Sequence, residues 1–386
     1  MLNTLAVSNY RSLQKSVIPL GQLNLITGPN GSGKSNLYRS LRLLAETAQT
    51  GVVGALAREG GLESTLWAGP EKISREMREG KTSIQGGPRK DSIRLRLGFA
   101  DDEFGYAISL GLPPPSRSAF ALDPEIKRES IWAGPFYRPS SLLVDRLGPV
   151  VKRRNGRGFE VVAQHMNAYD SLFGQLADPN AMPEVLRLRE NIRAWRFYDQ
   201  FRTDQDAPSR LPQLGTRTFA LRHDGGDLAA ALQTILEIGD DNALHAAIGD
   251  AFPGSHVSIV SQRDGWFAVE FHQQGLLRPL AAAELSDGTL RYLLWVAALL
   301  TPRLPPLMVL NEPETSLHPD LLPALARLIV RASSHTQVWV VSHANQLVSA
   351  LGSHPVCHLI ELKKDLGQTL VMGLGVLDEP TWHWPN

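Results

Sequence analysis

Eight consecutive residues, Gly28-Pro29-Asn30-Gly31-Ser32-Gly33-Lys34-Ser35, carry the clearest chemistry in this sequence. Glycines at the first, fourth and sixth places let the backbone curl so that successive amides face one point, an arrangement that binds phosphate. Lysine followed by a hydroxyl completes the pattern. Lys34 is placed to reach the β and γ phosphates of a nucleotide, and the Ser35 hydroxyl to ligate Mg²⁺. ATP with Mg²⁺ is therefore the expected cofactor pair. Much later, "PPLMVLNEPE" reads as a buried strand ending in acid. At such a strand end one side chain holds the water shell of the metal, and a neighbouring carboxylate orients or deprotonates the attacking water. Glu312 suits the second role. Asn311 takes the first; its amide oxygen still accepts a hydrogen bond from a metal-bound water but carries no charge, so weaker Mg²⁺ binding is expected rather than none.

Two further groups lie nearby in sequence. "LSDGT", 285–289, opens a helix, and Ser286 with the amide of Gly288 makes a second anion site there, although Ser-Asp-Gly is equally an ordinary helix cap. His343 ends the run "VWVVSHA", where it can touch a γ phosphate; taken alone, a strand-end histidine is more often structural.

Positioning these groups requires strands that end beside one another. "LNLIT" at 23–27 leads into the glycine loop, and the stretch after it sets Leu37, Leu41 and Leu44 on one side of a helix. The last hundred residues alternate: helix near 288–301, strand 307–310, helix 320–332, strand 337–341, helix 345–351, strand 356–362. Such alternation predicts an α/β fold with a mostly parallel core sheet flanked by helices. Elsewhere "SIRLRLGF" and "GYAISLGL" form a hairpin across "ADDE", Pro183 opens a helix with Val185, Leu188, Ile192 and Trp195 on one face, and a second helix runs from Asp227 to Gly239. "HVSIV" and "WFAVEFH" flank a turn. Residues 51–90 and 113–182 give no clear element. The expected organisation is a discontinuous nucleotide-binding core, 1–50 and 255–386, with a β-rich and helical lobe, 51–254, inserted.

Composition narrows the partners. The 386 residues are 43% apolar, and 39 Lys and Arg balance 39 Asp and Glu, so no global field draws the chain to nucleic acid or membrane. A single cysteine, Cys357, excludes an internal disulfide and suits a reducing compartment. With no signal-peptide pattern and no apolar run of membrane-spanning length, a soluble cytoplasmic protein is expected. Lys152, Arg153 and Arg154, and Arg189, Arg193 and Arg196 beside an apolar helix face, are local candidates for DNA contact; a solvated, salt-bridged face is the plainer reading.

Taken together, "VSNYRSLQKSVIPLGQLNLITGPNGSGKSNL", "LSDGT", "NEPETSLHP" and "VVSHA" resemble the ATP-binding-cassette type of ATPase in its RecF/SMC-like branch. They are most similar to standalone AAA-family members without a long coiled coil. The resemblance implies a P-loop head with an antiparallel β lobe and a helical insertion. It adds Asn36 to the nucleotide loop and makes Ser286 and Gly288 a signature that closes over the nucleotide of a second copy in a head-to-tail homodimer. Glu312 becomes the catalytic acid-base residue and His343 the switch histidine. Asn311 stands where aspartate is usual, which implies slow turnover, and Asp287, where many relatives have glycine, is expected to cap its helix from outside the site. The glutamine loop has three candidates, Gln49, Gln85 and Gln164. The role implied is a nucleotide-driven switch or clamp in a DNA-related process, repair or genome defence; the alternative is a nucleotide-sensing regulator of a separately encoded effector.

Overall fold

The computed structural model describes every residue except 50, 72, 80, 84–92, 376–378 and 386. The chain forms two compact units with interleaved segments: Met1–Leu20, Gly28–Ala194 and Ile360–Asn386 make the first, Gly21–Thr27 and Trp195–Leu359 the second. Among the described residues no helix is long and apolar enough to cross a membrane.

An eight-stranded antiparallel sheet organises the first unit, in the order Leu13–Pro19, Leu2–Tyr10, Leu95–Asp101, Phe104–Gly111, Glu125–Ala133, Leu142–Leu147, Val150–Asn155, Gly158–Ala163. The expected hairpin is present from Leu95 on; its Ser92 lies outside the described residues. Asp101 closes its turn by accepting from the amides of Glu103 and Phe104 at 2.8 and 2.6 Å. Leu95, Leu97 and Phe99 are buried, as are Leu37, Leu41 and Leu44 of the helix Lys34–Thr47. Four strands occupy the stretch that gives no sequence signal, and the reason is a buried polar cluster. Glu129 and Arg146, both with fully buried side chains, pair at 3.4 Å. Glu129 also accepts from the hydroxyls of Tyr106 and Ser171 at 2.9 and 2.6 Å. Charges buried this way are tolerated because nearly every lone pair finds a donor.

The second unit holds four parallel strands in the order Arg196–Tyr198, Leu307–Asn311, Gln337–Val341, Leu23–Thr27. Met308, Val309, Leu310, Val338, Trp339 and Val340 are all completely buried, the continuous apolar run that a parallel sheet covered on both faces produces. Helices Leu228–Ile238, Asp241–Ala251, Asp287–Leu299, Leu322–Ser333 and Asn345–Gly352 belong to this unit. A smaller antiparallel sheet pairs His256–Ser261 with Trp266–His272 as expected. Because parallel strands all end at the same edge, the ends of Leu307–Asn311 and Gln337–Val341 arrive together, and that edge carries the candidate residues Asn311, Glu312 and His343.

Candidate ATP-binding and hydrolysis groups

In the first unit the loop 28–33 runs directly into the helix Lys34–Thr47. Gly33 has φ +107°, and a Cβ there would lie 2.0 Å from Oγ1 of Thr369, so no other residue fits. Thr369 Oγ1 donates to the Ser32 carbonyl at 2.8 Å and lies 2.7 Å from Ser12 Oγ. Ser12 Oγ in turn accepts from Asn36 Nδ2 at 2.7 Å. The Asn36 side chain is thus engaged behind the loop, bracing the helix start. Ser12 and Thr369 are 357 residues apart, and nothing in the sequence marks either. Lys34 is 7% exposed; its Nζ donates to the carbonyls of Gly28 at 2.7 Å and Pro29 at 3.3 Å, so the cation itself ties the curl. Pro29, Asn30, Gly31 and Ser35 are exposed, and the helix has no acid in its first turn, leaving its positive end open to an anion.

In the second unit Asn311 is paired with Val341, and the Glu312 amide donates to the Val341 carbonyl at 2.8 Å. The chain then breaks sharply: Glu312 has φ +50°, a left-handed conformation costing a non-glycine residue about 1 kcal/mol or more. Strain of this kind persists where a side chain must point one way. The Glu312 carboxylate is roughly half exposed, with Oε1 3.6 Å from Nδ1 of His343. His343 Nδ1 also lies 3.5 Å from Oε1 of Glu314. Sequence reasoning gave Glu314 no role, yet it is the organiser. Buried, it accepts through Oε1 from Ser342 Oγ at 2.8 Å and from the amides of His343 and Ala344 at 3.1 and 3.3 Å, fixing the loop that carries His343. The available signal was a second acid two residues after the first, in a proline turn. Glu314→Ala removes the acceptor of the Ser342 hydroxyl and the His343 amide, and we expect it to cost about 2 kcal/mol and lower the melting temperature by several degrees. An unchanged calorimetric melt would show that the strand alone holds the loop.

Ser286 caps the helix Asp287–Leu299, its Oγ accepting from the Thr289 amide at 3.2 Å. Asp287 does not cap, contrary to expectation. Its Oδ1 accepts from Arg210 Nη2 at 2.6 Å, while Nη1 of the same arginine donates to the Leu285 carbonyl at 2.7 Å, so the acid is neutralised and drawn aside. The helix is bolted to the turn after Glu312. Arg291 Nη1 donates to the Thr315 carbonyl at 3.0 Å, Trp295 Nε1 to that of Pro313 at 3.0 Å, and a Cβ at Gly288 would lie 3.2 Å from the Ser316 carbonyl. Ser286, Gly288 and Glu312 therefore sit on one rigid piece.

The basic residues are less available than their spacing suggests. Arg196 lies not on the helix Pro183–Arg193 but on the strand Arg196–Tyr198, in the other unit from Arg189 and Arg193. Glu190 lies 2.9 Å from Arg189 and 3.6 Å from Arg193. Arg154 donates to the carbonyls of Leu142 and Pro139 at 2.6 and 2.7 Å; Arg153 donates to that of Ala181 and lies 3.6 Å from Glu184. Lys152 is exposed. Of the glutamines, Gln49 and Gln164 are exposed and Gln85 lies outside the described residues.

Comparison with known proteins gives one family and one fold. The family described as "AAA domain, putative AbiEii toxin, Type IV TA system" matches residues 23–349. An SMC head bound to the C-winged helix domain of ScpA superposes with a TM-score of 0.50 at 12% identity, over 97% of this chain and 98% of that one. An SMC head domain from Thermotoga maritima gives 0.47 at 15% identity, over 97% and 99% of the two chains. The Smc head with an extended coiled coil, bound to the C-terminal domain of ScpA and derived from Pyrococcus furiosus, gives 0.49 at 11%, over 97% and 96%. The fold is that of an SMC-head-like P-loop ATPase. No curated protein matches the sequence.

Proposed function

Since the chain belongs to this AAA-domain family and has the fold of an ATP-binding, ABC-type ATPase, we propose that it hydrolyses ATP at composite sites made by two copies stacked head to tail. The observation that carries this reading is the rigid piece joining an exposed helix N-terminus at Ser286 to the strained acid Glu312. A helix start whose first amides face outward is a ready site for a phosphate. A signature fixed to the catalytic turn makes dimer closure and hydrolysis one event.

On this reading Lys34 and the amides of 28–36 hold the β and γ phosphates. Glu312 orients the attacking water and takes its proton, and His343, set by Glu314, contacts the γ phosphate. Mg²⁺, when bound, neutralises charge on the phosphate oxygens. Its protein donor would be the Ser35 hydroxyl, a hard oxygen ligand, with the Asn311 amide oxygen accepting from a metal-bound water; among the described residues no cluster of three acidic, histidine or cysteine side chains offers another metal site. So sparse a donor set leaves most of the coordination to phosphate and water, consistent with slow turnover. Asn311→Asp is expected to lower the Mg²⁺ concentration needed for half-maximal ATP hydrolysis by roughly tenfold, because one more negative charge at the ion is worth on the order of 1–2 kcal/mol. An unmoved Mg²⁺ titration would show that Asn311 points elsewhere.

The switch acts, we propose, in a DNA-related process of the repair or defence kind. The engagement of Arg153, Arg154 and Arg189 with carbonyls and carboxylates favours a second route, in which the ATP-bound dimer governs a separately encoded effector rather than gripping DNA itself. Added duplex DNA separates the two: a direct clamp shows stimulated turnover and binding that falls steeply with salt, whereas an effector regulator shows neither.

A further inference from the structure

The outward face of the eight-stranded sheet contains a pocket that the ATP chemistry leaves unused. In the antiparallel register Arg96, Ser109 and Arg128 form one row across three strands, and Ala107 and Ser130 stand side by side in the next. These small floor residues leave a cavity of about 310 Å³, the size of a small-ligand site. Its rim is cationic. Arg128 is held by Asp145 through two bonds of 2.9 and 2.8 Å. Arg94 and Arg96 pair with no carboxylate among the described residues, and burial together with the neighbouring Arg94 charge lowers the Arg96 pKa. Two like charges side by side disfavour the empty site and favour a bound anion. Ser109, 9% exposed, lines the same cavity with its Oγ buried and without a partner among the described residues. A buried hydroxyl without a partner is rare in folded proteins and marks a missing ligand atom.

One wall is aromatic. The segment ending in Trp382-His383-Trp384-Pro385 crosses the sheet where Gly98 permits it: a Cβ there would come within 2.6 Å of the Trp382 ring. Trp382 meets Trp132 edge-on at 5.5 Å and Trp384 at 5.3 Å, and Trp384 lines the cavity beside the arginines. Guanidinium forks match phosphate oxygens, and an indole face matches a nucleobase.

We infer that this pocket binds one nucleotide unit, with Arg94, Arg96 and the Ser109 hydroxyl on its phosphate and the Trp384 indole against its base. A free mononucleotide and the 5′-phosphorylated end of a single strand present the same chemistry, and the test separates them. The assignment is independent of the ATPase reading.

The test is calorimetry on the full chain at low salt with its phosphate loop saturated by a non-hydrolysable ATP analogue. The probes are UMP, a 5′-phosphorylated dT tetramer, the unphosphorylated tetramer and inorganic phosphate. UMP or the phosphorylated tetramer is expected to bind, with at least a tenfold loss in Arg94→Ala and in Arg96→Ala. Trp384→Leu is expected to weaken the nucleotide probe but not inorganic phosphate. Tighter binding of the phosphorylated tetramer than of UMP assigns a strand end; equal binding assigns a free nucleotide. Inorganic phosphate binding as tightly as UMP would overturn the inference and leave an anion site only. So would the absence of binding at millimolar ligand, or binding indifferent to both arginines. Melting temperature and Mg-ATP turnover, measured in parallel, are expected to stay at wild-type values in the arginine variants, so failure here is distinguishable from failure of the ATPase reading.

Discussion

Lys34→Ala is expected to weaken Mg-ATP binding by a hundredfold or more, roughly 3 kcal/mol, measured by calorimetry on the full chain. Two effects add. Charge-assisted bonds from the ammonium to phosphate oxygens contribute about 1.5–3 kcal/mol each, and the loop has no other side-chain cation to replace them. The same Nζ also bonds the Gly28 and Pro29 carbonyls, so removing it leaves two carbonyl oxygens converging on nothing and opens the curl that gathers the amides. Lys34→Arg separates these effects: it keeps the charge, but its larger planar head does not fit a position only 7% exposed, so most of the loss should remain. Undiminished affinity in Lys34→Ala would overturn the assignment of the loop.

Glu312→Gln is expected to leave ATP affinity within a few fold of wild type while slowing hydrolysis about 10²–10⁴-fold, the range a general base contributes. Glutamine matches the carboxylate in shape and tolerates the same left-handed backbone at φ +50°, so the strand end, the Val341 bond and the Glu314 clamp survive. What it lacks is the capacity to take a proton. With closure intact and cleavage blocked, the ATP-bound dimer should accumulate, visible by gel filtration as a species of twice the mass that disperses when ATP is withdrawn. A variant that binds ATP but stays monomeric at every concentration would count heavily against head-to-tail pairing.

The legible and illegible parts of this fold divide along physical lines. The elements from the helix Asp287–Leu299 to the helix Asn345–Gly352 could be read within a few residues of their ends, because a strand buried on both faces is a continuous apolar run and the helices between repeat at 3.6. The strands Glu125–Ala133 and Leu142–Leu147 could not, since Glu129 and Arg146 occupy inward positions and break the alternation that reveals a half-buried strand. The same division runs through the site. The loop 28–35, Glu312 and His343 follow from local spacing. The partners that hold them do not: Ser12 and Thr369 meet across the length of the chain, and Arg210 reaches Asp287 from 77 residues away. Asp287 departs from its expected role for that reason, since a local pattern nominates it as a cap and only the fold supplies its arginine.

The central claim, a catalytic site completed by a second copy, is tested most directly by phosphate release from Mg-ATP over a hundredfold range of protein concentration, with Glu312→Gln run alongside to subtract contaminating activity. Release dependent on Glu312 is expected to rise faster than in proportion to protein, then to become proportional once the dimer saturates. Release that depends on Glu312 yet stays strictly proportional to protein throughout, from a chain that remains monomeric in ATP, would contradict it.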